Sequence, residues 1–185
     1  MATFARDTAQ PASETFAADA ALDAWLAAHD LGRESTRSEL EALVRDLAAR
    51  PDLWRRHVHH SPAERLYVRL HLDDHLEVWL ICWSQRQDTG FHDHDRSRGA
   101  VAVVGGALAE WRLAVGAPPP PTAIHPTGVS FSFGATHIHD VSQTGPGLAT
   151  SLHVYSPPLG EMGFYEVSPD GTLGRRTGDY REEFC

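Results

Sequence analysis

The first third of the chain carries apolar residues at helical spacing. Within residues 16–29 they recur every three or four positions, and a second set over residues 38–47 ends shortly before Pro51. This period is typical of amphipathic helices, which a following proline limits. The pattern predicts two helices within a helical part at residues 16–60. Residues 1–15, rich in Ala, Thr, Ser and Pro, are expected to form a flexible arm.

From residue 64 onward the period shortens to two. Apolar and polar residues alternate over 66–71, and an apolar run over 76–83 follows across a short polar turn, which predicts a β-hairpin. Further strand-like runs between turns rich in Gly and Pro are 100–104, 107–115, 129–133, 137–141, 149–155 and 164–167. Short successive strands favour an antiparallel sandwich or barrel. We expect a single domain over residues 16–185, with its β part at 64–185 and prolines 118–121 as a connector.

Composition narrows the class of partner. The 185 residues include 25 acidic and 16 basic side chains, a formal charge of −9, and every basic one is Arg. This charge repels nucleic acids and anionic membranes, so neither is an expected partner, and a helix-turn-helix interpretation of the two helices is disfavoured. The absence of Lys excludes Schiff-base chemistry. Cys82 and Cys185 form no disulfide framework, and no signal-peptide pattern is seen, which predicts a soluble, cytoplasmic protein.

Two pairs of histidines have metal-ligand spacing. His92 and His94 are two positions apart, which on a strand directs both imidazoles to one face. His137 and His139 repeat this spacing downstream, and either could supply a third nitrogen. Gly99 follows where the first cupin motif usually has Glu, so the set would contain nitrogen ligands alone. Such a set with open positions suits Fe(II), although ligand type leaves Zn, Ni, Cu and Mn open.

A third polar pattern lies on one predicted strand. Ser151, His153 and Tyr155 alternate with Leu and Val, so their side chains share a face. They could face solvent, or they could form a hydrogen-bonded relay beside the histidines. A Ser-His hydrolase fits poorly, because no nucleophile elbow surrounds Ser151. The pattern favours the relay.

These motifs resemble those of the cysteine dioxygenase family, the thiol dioxygenases of the cupin superfamily. The resemblance covers about residues 67–155, and its matching stretches are Tyr67-Val68-Arg69, Leu80-Ile81-Cys82-Trp83, His92-Asp93-His94, His139-Asp140-Val141 and Ser151-Leu152-His153-Val154-Tyr155-Ser156-Pro157-Pro158. It implies a mainly β fold: a cupin, that is, a jelly-roll-like antiparallel β-barrel with N-terminal α-helices packed against it.

The resemblance also implies residue roles. It selects His139 over His137, so that Fe(2+) would be held by His92, His94 and His139. Arg69 would bind the substrate carboxylate, with Tyr67 and Trp83 lining or supporting the pocket. Tyr155 would lie over the substrate, oriented by Ser151 and His153.

One position departs from the animal members of the family. They carry at the Gly99 position a cysteine that forms a thioether with the active-site tyrosine, whereas bacterial members commonly have glycine there. No such crosslink can form at Gly99. The cysteine that this chain does have in its central part, Cys82, lies in an apolar run and is expected to be buried.

The resemblance implies an Fe(II)-dependent dioxygenase that converts L-cysteine and O2 to cysteine sulfinate, and a monomer is expected. Its partners would be a small thiol and O2. One alternative is the same reaction on another thiol, such as 3-mercaptopropionate. Another is a metal-binding cupin without dioxygenase activity, such as a sugar isomerase. A third is a regulatory module that contacts a partner through its N-terminal helices.

Overall fold

The computed structural model describes residues 14–16, 19–29, 31–113, 122–168 and 170–179. Its helices are α1 (Ala20–Ala27), α2 (Arg37–Ala48) and α3 (Pro51–Trp54), followed by a 3-10 turn at Arg55–His57. Its strands are β1 (Glu14–Phe16), β2 (Leu66–Leu72), β3 (Glu77–Trp83), β4 (His92–Asp93), β5 (Arg98–Gly105), β6 (Ala107–Arg112), β7 (Ala123–Pro126), β8 (Ser130–Phe133), β9 (His139–Gln143), β10 (Ala149–Ser156), β11 (Glu161–Val167) and β12 (Leu173–Asp179).

The strands form two six-stranded sheets. The first has the order β1-β2-β3-β10-β5-β8, and the second has the order β12-β11-β4-β9-β6-β7. Among the described strands, β1 and β2 pair in parallel and every other pairing is antiparallel. The predicted fold class, mainly β with an antiparallel two-sheet barrel and N-terminal helices, is confirmed.

Strand β3 separates two hydrophobic clusters, because its successive side chains point to opposite faces. Val78, Leu80 and Cys82 belong to the cluster shared with the helices. Trp79 and Trp83 belong to the cluster between the two sheets, which also holds aromatic residues of β8 and β10. The buried position expected for Cys82 is therefore on the helix side, away from the barrel interior.

Helix α2 covers the outer face of the first sheet. A capping box fixes its start, in which the Thr36 hydroxyl and the Glu39 carboxylate each accept a backbone N–H of the other residue. Its buried side chains, which point toward β5, β8 and β10, are Leu40, Leu43, Val44 and Leu47. The helix thus closes one side of the barrel and leaves the interior to the sheets.

The N-terminal boundary differs from the prediction. Phe16, predicted to begin a helix, lies in β1 with Glu14, where their backbones pair with Tyr67–Arg69 of β2 and form the edge of the first sheet. The helix α1 begins only after Asp19, whose carboxylate accepts the Ala21 N–H at 2.9 Å. Tertiary pairing outweighs local helical period here. The rest of the predicted arm, residues 1–13, lies outside the described residues.

One predicted strand is displaced by two residues, another is shorter than expected, and β7 and β12 were not predicted. The strand predicted at 137–141 begins at His139, because residues 134–137 form a turn in which the His137 N–H donates to the Gly134 carbonyl at 3.1 Å. The strand predicted to reach residue 115 ends at Arg112, and the proline connector lies in the undescribed residues 114–121. Strands β7 and β12 carry too little apolar alternation to be predicted. Within the described residues there is no helix with the length and apolar character needed to span a bilayer.

Candidate metal centre

Three buried imidazoles meet in the barrel interior. His92 of β4 pairs directly with His139 of β9, and His94 follows β4 by one residue. The ring centroids lie 4.8 Å apart for His92–His94 and for His92–His139, and 5.2 Å apart for His94–His139. One ring nitrogen from each lies within 4.8 Å of those of the other two. The pairing of β4 with β9 brings the distant histidine to the local pair.

The nitrogens of this group are poised as metal donors. His92 Nδ1 donates to the Gly90 carbonyl at 3.0 Å, and His139 Nδ1 donates to the Glu110 carboxylate at 3.0 Å, which leaves Nε2 of each ring with its lone pair. Both ring nitrogens of His94 are buried and lack a hydrogen-bond partner within the described part of the chain. An orphaned buried imidazole is costly unless a metal satisfies it. The residues therefore fit a divalent metal.

Burial lowers the pKa of both His94 and His139 and keeps these two rings neutral. It lowers the pKa of His139 to about 3, although the hydrogen bond to Glu110 opposes the shift. It also holds the pKa of His94 well below the ordinary value, and the neighbouring His92 and His139 add to the effect. Neutral imidazole is the form that binds metal, so no proton has to be removed at neutral pH.

Phe133 packs against this group and fills the space beside Gly99. Its ring stacks on His94 with centroids 4.7 Å apart. Gly99 of β5 lies opposite both Phe133 and Tyr155 in the sheet, and a Cβ there would come within 2.5 Å of Phe133 Cε2 and 3.1 Å of Tyr155 Cδ1. The position thus has no room for a side chain, which agrees with the missing cysteine.

A polar relay, consisting of Trp83, Ser151, His153 and Tyr155, runs along the inner face of the first sheet. Trp83 Nε1 donates to Ser151 Oγ at 2.9 Å, and Ser151 Oγ lies 2.8 Å from His153 Nε2. His153 Nδ1 lies 3.2 Å from the Tyr155 hydroxyl oxygen. The ring centroid of Tyr155 is 5.3 Å from that of His94. Burial lowers the pKa of His153 to about 3, so this imidazole is neutral as well. The relay ends beside the histidine group.

Residues 13–168 match the family described as cysteine dioxygenase type I. The chain belongs to this family. No curated protein matches it. The solved structures similar to it include a protein from Thermus thermophilus, with 16% identity and a TM-score of 0.49 over 56% of this chain and 92% of that chain. They also include a protein with a double-stranded β-helix domain from Klebsiella pneumoniae, with 14% identity and a TM-score of 0.49 over 68% of this chain and 88% of that chain. A cupin superfamily protein from Desulfitobacterium hafniense is similar over 54% of this chain and 83% of that chain, with 11% identity and a TM-score of 0.45.

In this cysteine dioxygenase family member, Arg69 lies on β2 with a partner that the sequence did not reveal. Its Nη1 is 3.5 Å from Oε1 of Glu77, and its guanidinium carbon is 5.4 Å from the centroid of Trp79. Glu77 Oε2 also accepts the Leu159 N–H at 2.9 Å. The Arg69 side chain is 17% exposed, so this cation is largely buried with its carboxylate partner.

Tyr67 and Trp83 both contact a second cation, Arg65. The guanidinium carbon of Arg65 lies 5.0 Å from the Tyr67 ring centroid and 4.9 Å from that of Trp83, and its Nε donates to the Tyr67 hydroxyl. Its Nη1 donates to the Asp88 carbonyl. Tyr67 and Trp83 are 1% and 0% exposed. Both predicted pocket residues therefore belong to one buried aromatic cluster held by Arg65.

Three charged residues of this region were missed by sequence reasoning: Arg65, Glu77 and Glu110. Glu77 and Glu110 are 1% and 0% exposed; Glu77 begins an otherwise apolar strand, and Glu110 lies between apolar neighbours in β6. A carboxylate at an inward-facing strand position is a signal that could have marked them, because a buried charge needs partners. Burial raises the pKa of Glu110, but hydrogen bonds from His125, His137 and His139 outweigh it and lower the pKa.

Proposed function

We propose that the protein is an Fe(II)-dependent dioxygenase that adds both atoms of O2 to the sulfur of L-cysteine. The thiol is oxidised by four electrons to the sulfinic acid, O2 accepts those electrons, and no other co-reactant is needed. The observation that carries the proposal is the group of three buried imidazoles beside Tyr155, in a chain of the cysteine dioxygenase family.

His92, His94 and His139 would hold the metal. Because the group contains imidazole nitrogens and no carboxylate, a bound divalent ion would keep its full charge and could also take substrate as a ligand. Bound Fe(II) would supply the redox chemistry that joins O2 to sulfur. The protein supplies the ligand arrangement and the dry, aromatic surroundings of the group, including the stacked ring of Phe133.

Arg69 would bind the substrate carboxylate. A guanidinium presents two parallel N–H groups that match a carboxylate, and Arg is the only basic residue type of the chain besides His. Its pairing with Glu77 and its position over Trp79 hold the guanidinium in one orientation before substrate arrives.

Tyr155 would donate its hydroxyl proton toward the substrate side. The Trp83 indole can only donate, so Ser151 Oγ accepts there, and its own hydrogen requires an acceptor because Ser151 is 0% exposed. Within the described residues that acceptor is His153 Nε2, which leaves the His153 proton on Nδ1, directed at the Tyr155 oxygen. Tyr155 then accepts from His153 and does not have to give its own hydrogen to that ring.

An oxygen electrode with the iron-loaded protein and a panel of small thiols tests the proposal. We expect L-cysteine to be consumed in equal amount with O2, and both labelled atoms of heavy-isotope O2 to be found in the sulfinate by mass spectrometry. Cysteamine and 3-mercaptopropionate are expected to react more slowly. Faster turnover of 3-mercaptopropionate would make that thiol, and not L-cysteine, the proposed substrate. If no thiol supported oxygen uptake, the protein would instead be a metal-binding cupin without oxygenase activity.

The protein is further proposed to act as a cytoplasmic monomer. Cys82 is a buried free thiol whose pKa is raised by burial, as suits a structural thiol in a reducing compartment. Light scattering of the purified protein across a concentration series checks the monomer.

A further inference from the structure

A buried carboxylate behind the histidine group gathers four basic side chains. Glu110 Oε1 accepts from His139 Nδ1 and from His137 Nε2, each at 3.0 Å. Glu110 Oε2 accepts from His125 Nε2 at 3.2 Å and from Arg112 Nη2 at 2.9 Å. We propose that Glu110 is a positioning residue that fixes the proton of His139 on Nδ1 and so directs its Nε2 lone pair at the metal.

The direction of the bond follows from the chemistry of its partners. Arg112 donates to the carboxylate and cannot accept, so it favours the ionised form of Glu110, which has no proton to give. His139 Nδ1 must therefore carry the hydrogen, and a neutral imidazole protonated there has its lone pair on Nε2. The hydrogen bond from Nδ1 to an anion also makes Nε2 of His139 a stronger electron-pair donor to a metal.

Strand pairing places the carboxylate behind the ligand. Strands β6 and β9 pair with Glu110 opposite Val141 and with Arg112 opposite His139. Glu110 is thus a diagonal neighbour of His139, within reach of a long side chain. His92 has a backbone acceptor in Gly90 on its own loop, whereas His139 depends on a side chain of another strand. A substitution at Glu110 can therefore disturb one ligand without touching the other two.

His137 also belongs to this support. Its Nε2 shares Glu110 Oε1 with His139, and its ring stacks on Phe133 with centroids 5.5 Å apart and planes 16° apart. Because it lies in the turn before β9, it contacts the carboxylate behind His139. The first histidine of the His137-Ile138-His139 segment thereby acquires a role in holding Glu110 and Phe133.

The test compares Glu110→Gln with His125→Gln. His125 is the matched control, because it contacts Oε2 of Glu110, whereas His139 contacts Oε1. Zinc affinity is measured by competition with a coloured chelator, and the tautomer of His139 in the metal-free protein is read from the nitrogen chemical shifts of its ring. We expect the wild-type proton on Nδ1 and a tautomer mixture in Glu110→Gln. Zinc binding should weaken about 10–100-fold in Glu110→Gln and stay within about threefold in His125→Gln.

Circular dichroism shows whether both variants fold. If Glu110→Gln does not, Glu110→Asp keeps the charge, withdraws the carboxylate by one methylene, and should show the same loss of zinc affinity. Unchanged zinc affinity in the folded Glu110 variant, or an equal loss in both variants, would overturn the proposal. So would a second zinc ion bound between Glu110 and His137. The inference rests on the metal site of the proposed function, but zinc affinity and tautomer do not depend on oxygenase activity, so either can fail alone.

Discussion

The guanidinium of Arg69 and the carboxylate of Glu77 lie 3.5 Å apart on neighbouring strands, and Glu77 is 1% exposed. The pairing orients the group that would bind substrate, and it also places a second carboxylate where the substrate carboxylate would compete with it. Burying an ion is costly even when it is paired. The protonation state of Glu77 therefore matters to both stability and binding.

Burial raises the pKa of Glu77 to about 7, although the Leu159 N–H and Arg69 oppose the shift. The folded state thus binds this proton more tightly than the unfolded state, whose pKa is the ordinary one. As pH rises from the ordinary value through about 7, the free energy of unfolding should fall by up to about 3 kcal/mol and then level off. Glu77→Gln should remove this part of the pH dependence. Urea unfolding of the metal-free wild type and Glu77→Gln at about pH 5 and pH 8 measures this difference. The prediction would be contradicted if the free energy of unfolding changed with pH equally in both proteins.

Arg69→Ala should reduce kcat/KM for L-cysteine by about 30-fold or more, because truncating one partner of a buried charge pair costs several kcal/mol. Cysteamine lacks the carboxylate, so its slow turnover should be nearly unaffected and serves as the control. Steady-state oxygen uptake gives both values. Unchanged kinetics with L-cysteine would mean that the carboxylate binds elsewhere.

His139→Ala should lose most of the iron that the wild type retains, since it removes one of three ligand nitrogens. His137→Ala is the matched variant two residues away, and it should keep its iron because it removes only a contact to Glu110 and Phe133. Iron content after gel filtration decides the matter. A full site in His139→Ala with an empty one in His137→Ala would exchange the two roles.

Gly99→Ala should destabilise the protein by about 1–3 kcal/mol, since the added methyl overlaps the Phe133 ring, which stacks on both His94 and His137 and cannot shift freely. Gly105→Ala on the same strand is the control. Its Cβ would be 3.7 Å from the nearest atoms of Thr150, so it should be close to neutral. Thermal unfolding of both variants measures the difference, and equal melting temperatures would refute the overlap.

Local patterns made part of this molecule predictable. The alternation that places Tyr67 and Arg69 on one face of β2, and the spacing of His92 and His94, depend only on strand geometry. The choice between His137 and His139 does not, because alternation puts both on one face and only the turn at 134–137 separates them.

The remaining features depend on residues that are distant in sequence. Glu110 acquires its role from histidines on other segments, and Gly99 is constrained by Phe133 on β8. Strand β12 is exposed and Arg-rich, so it lacks the apolar alternation that marks a strand, and only its pairing with β11 defines it.

The direction of the polar relay gives the last prediction. Trp83→Phe keeps an aromatic ring but removes the only donor that the described residues supply to Ser151 Oγ, so that His153 Nε2–H can donate there instead. The His153 Nδ1 lone pair would then accept the Tyr155 hydrogen and withdraw it from the substrate.

We expect kcat for L-cysteine to fall about tenfold in Trp83→Phe with KM nearly unchanged, because Arg69 is not affected. Ser151→Ala interrupts the same relay and should show a similar loss. The double variant is the decisive measurement: if both substitutions act through His153, its kcat should be no lower than that of the worse single variant. Losses that multiply in the double variant, or a KM that rises while kcat is preserved, would show that Trp83 acts on packing and not through the relay.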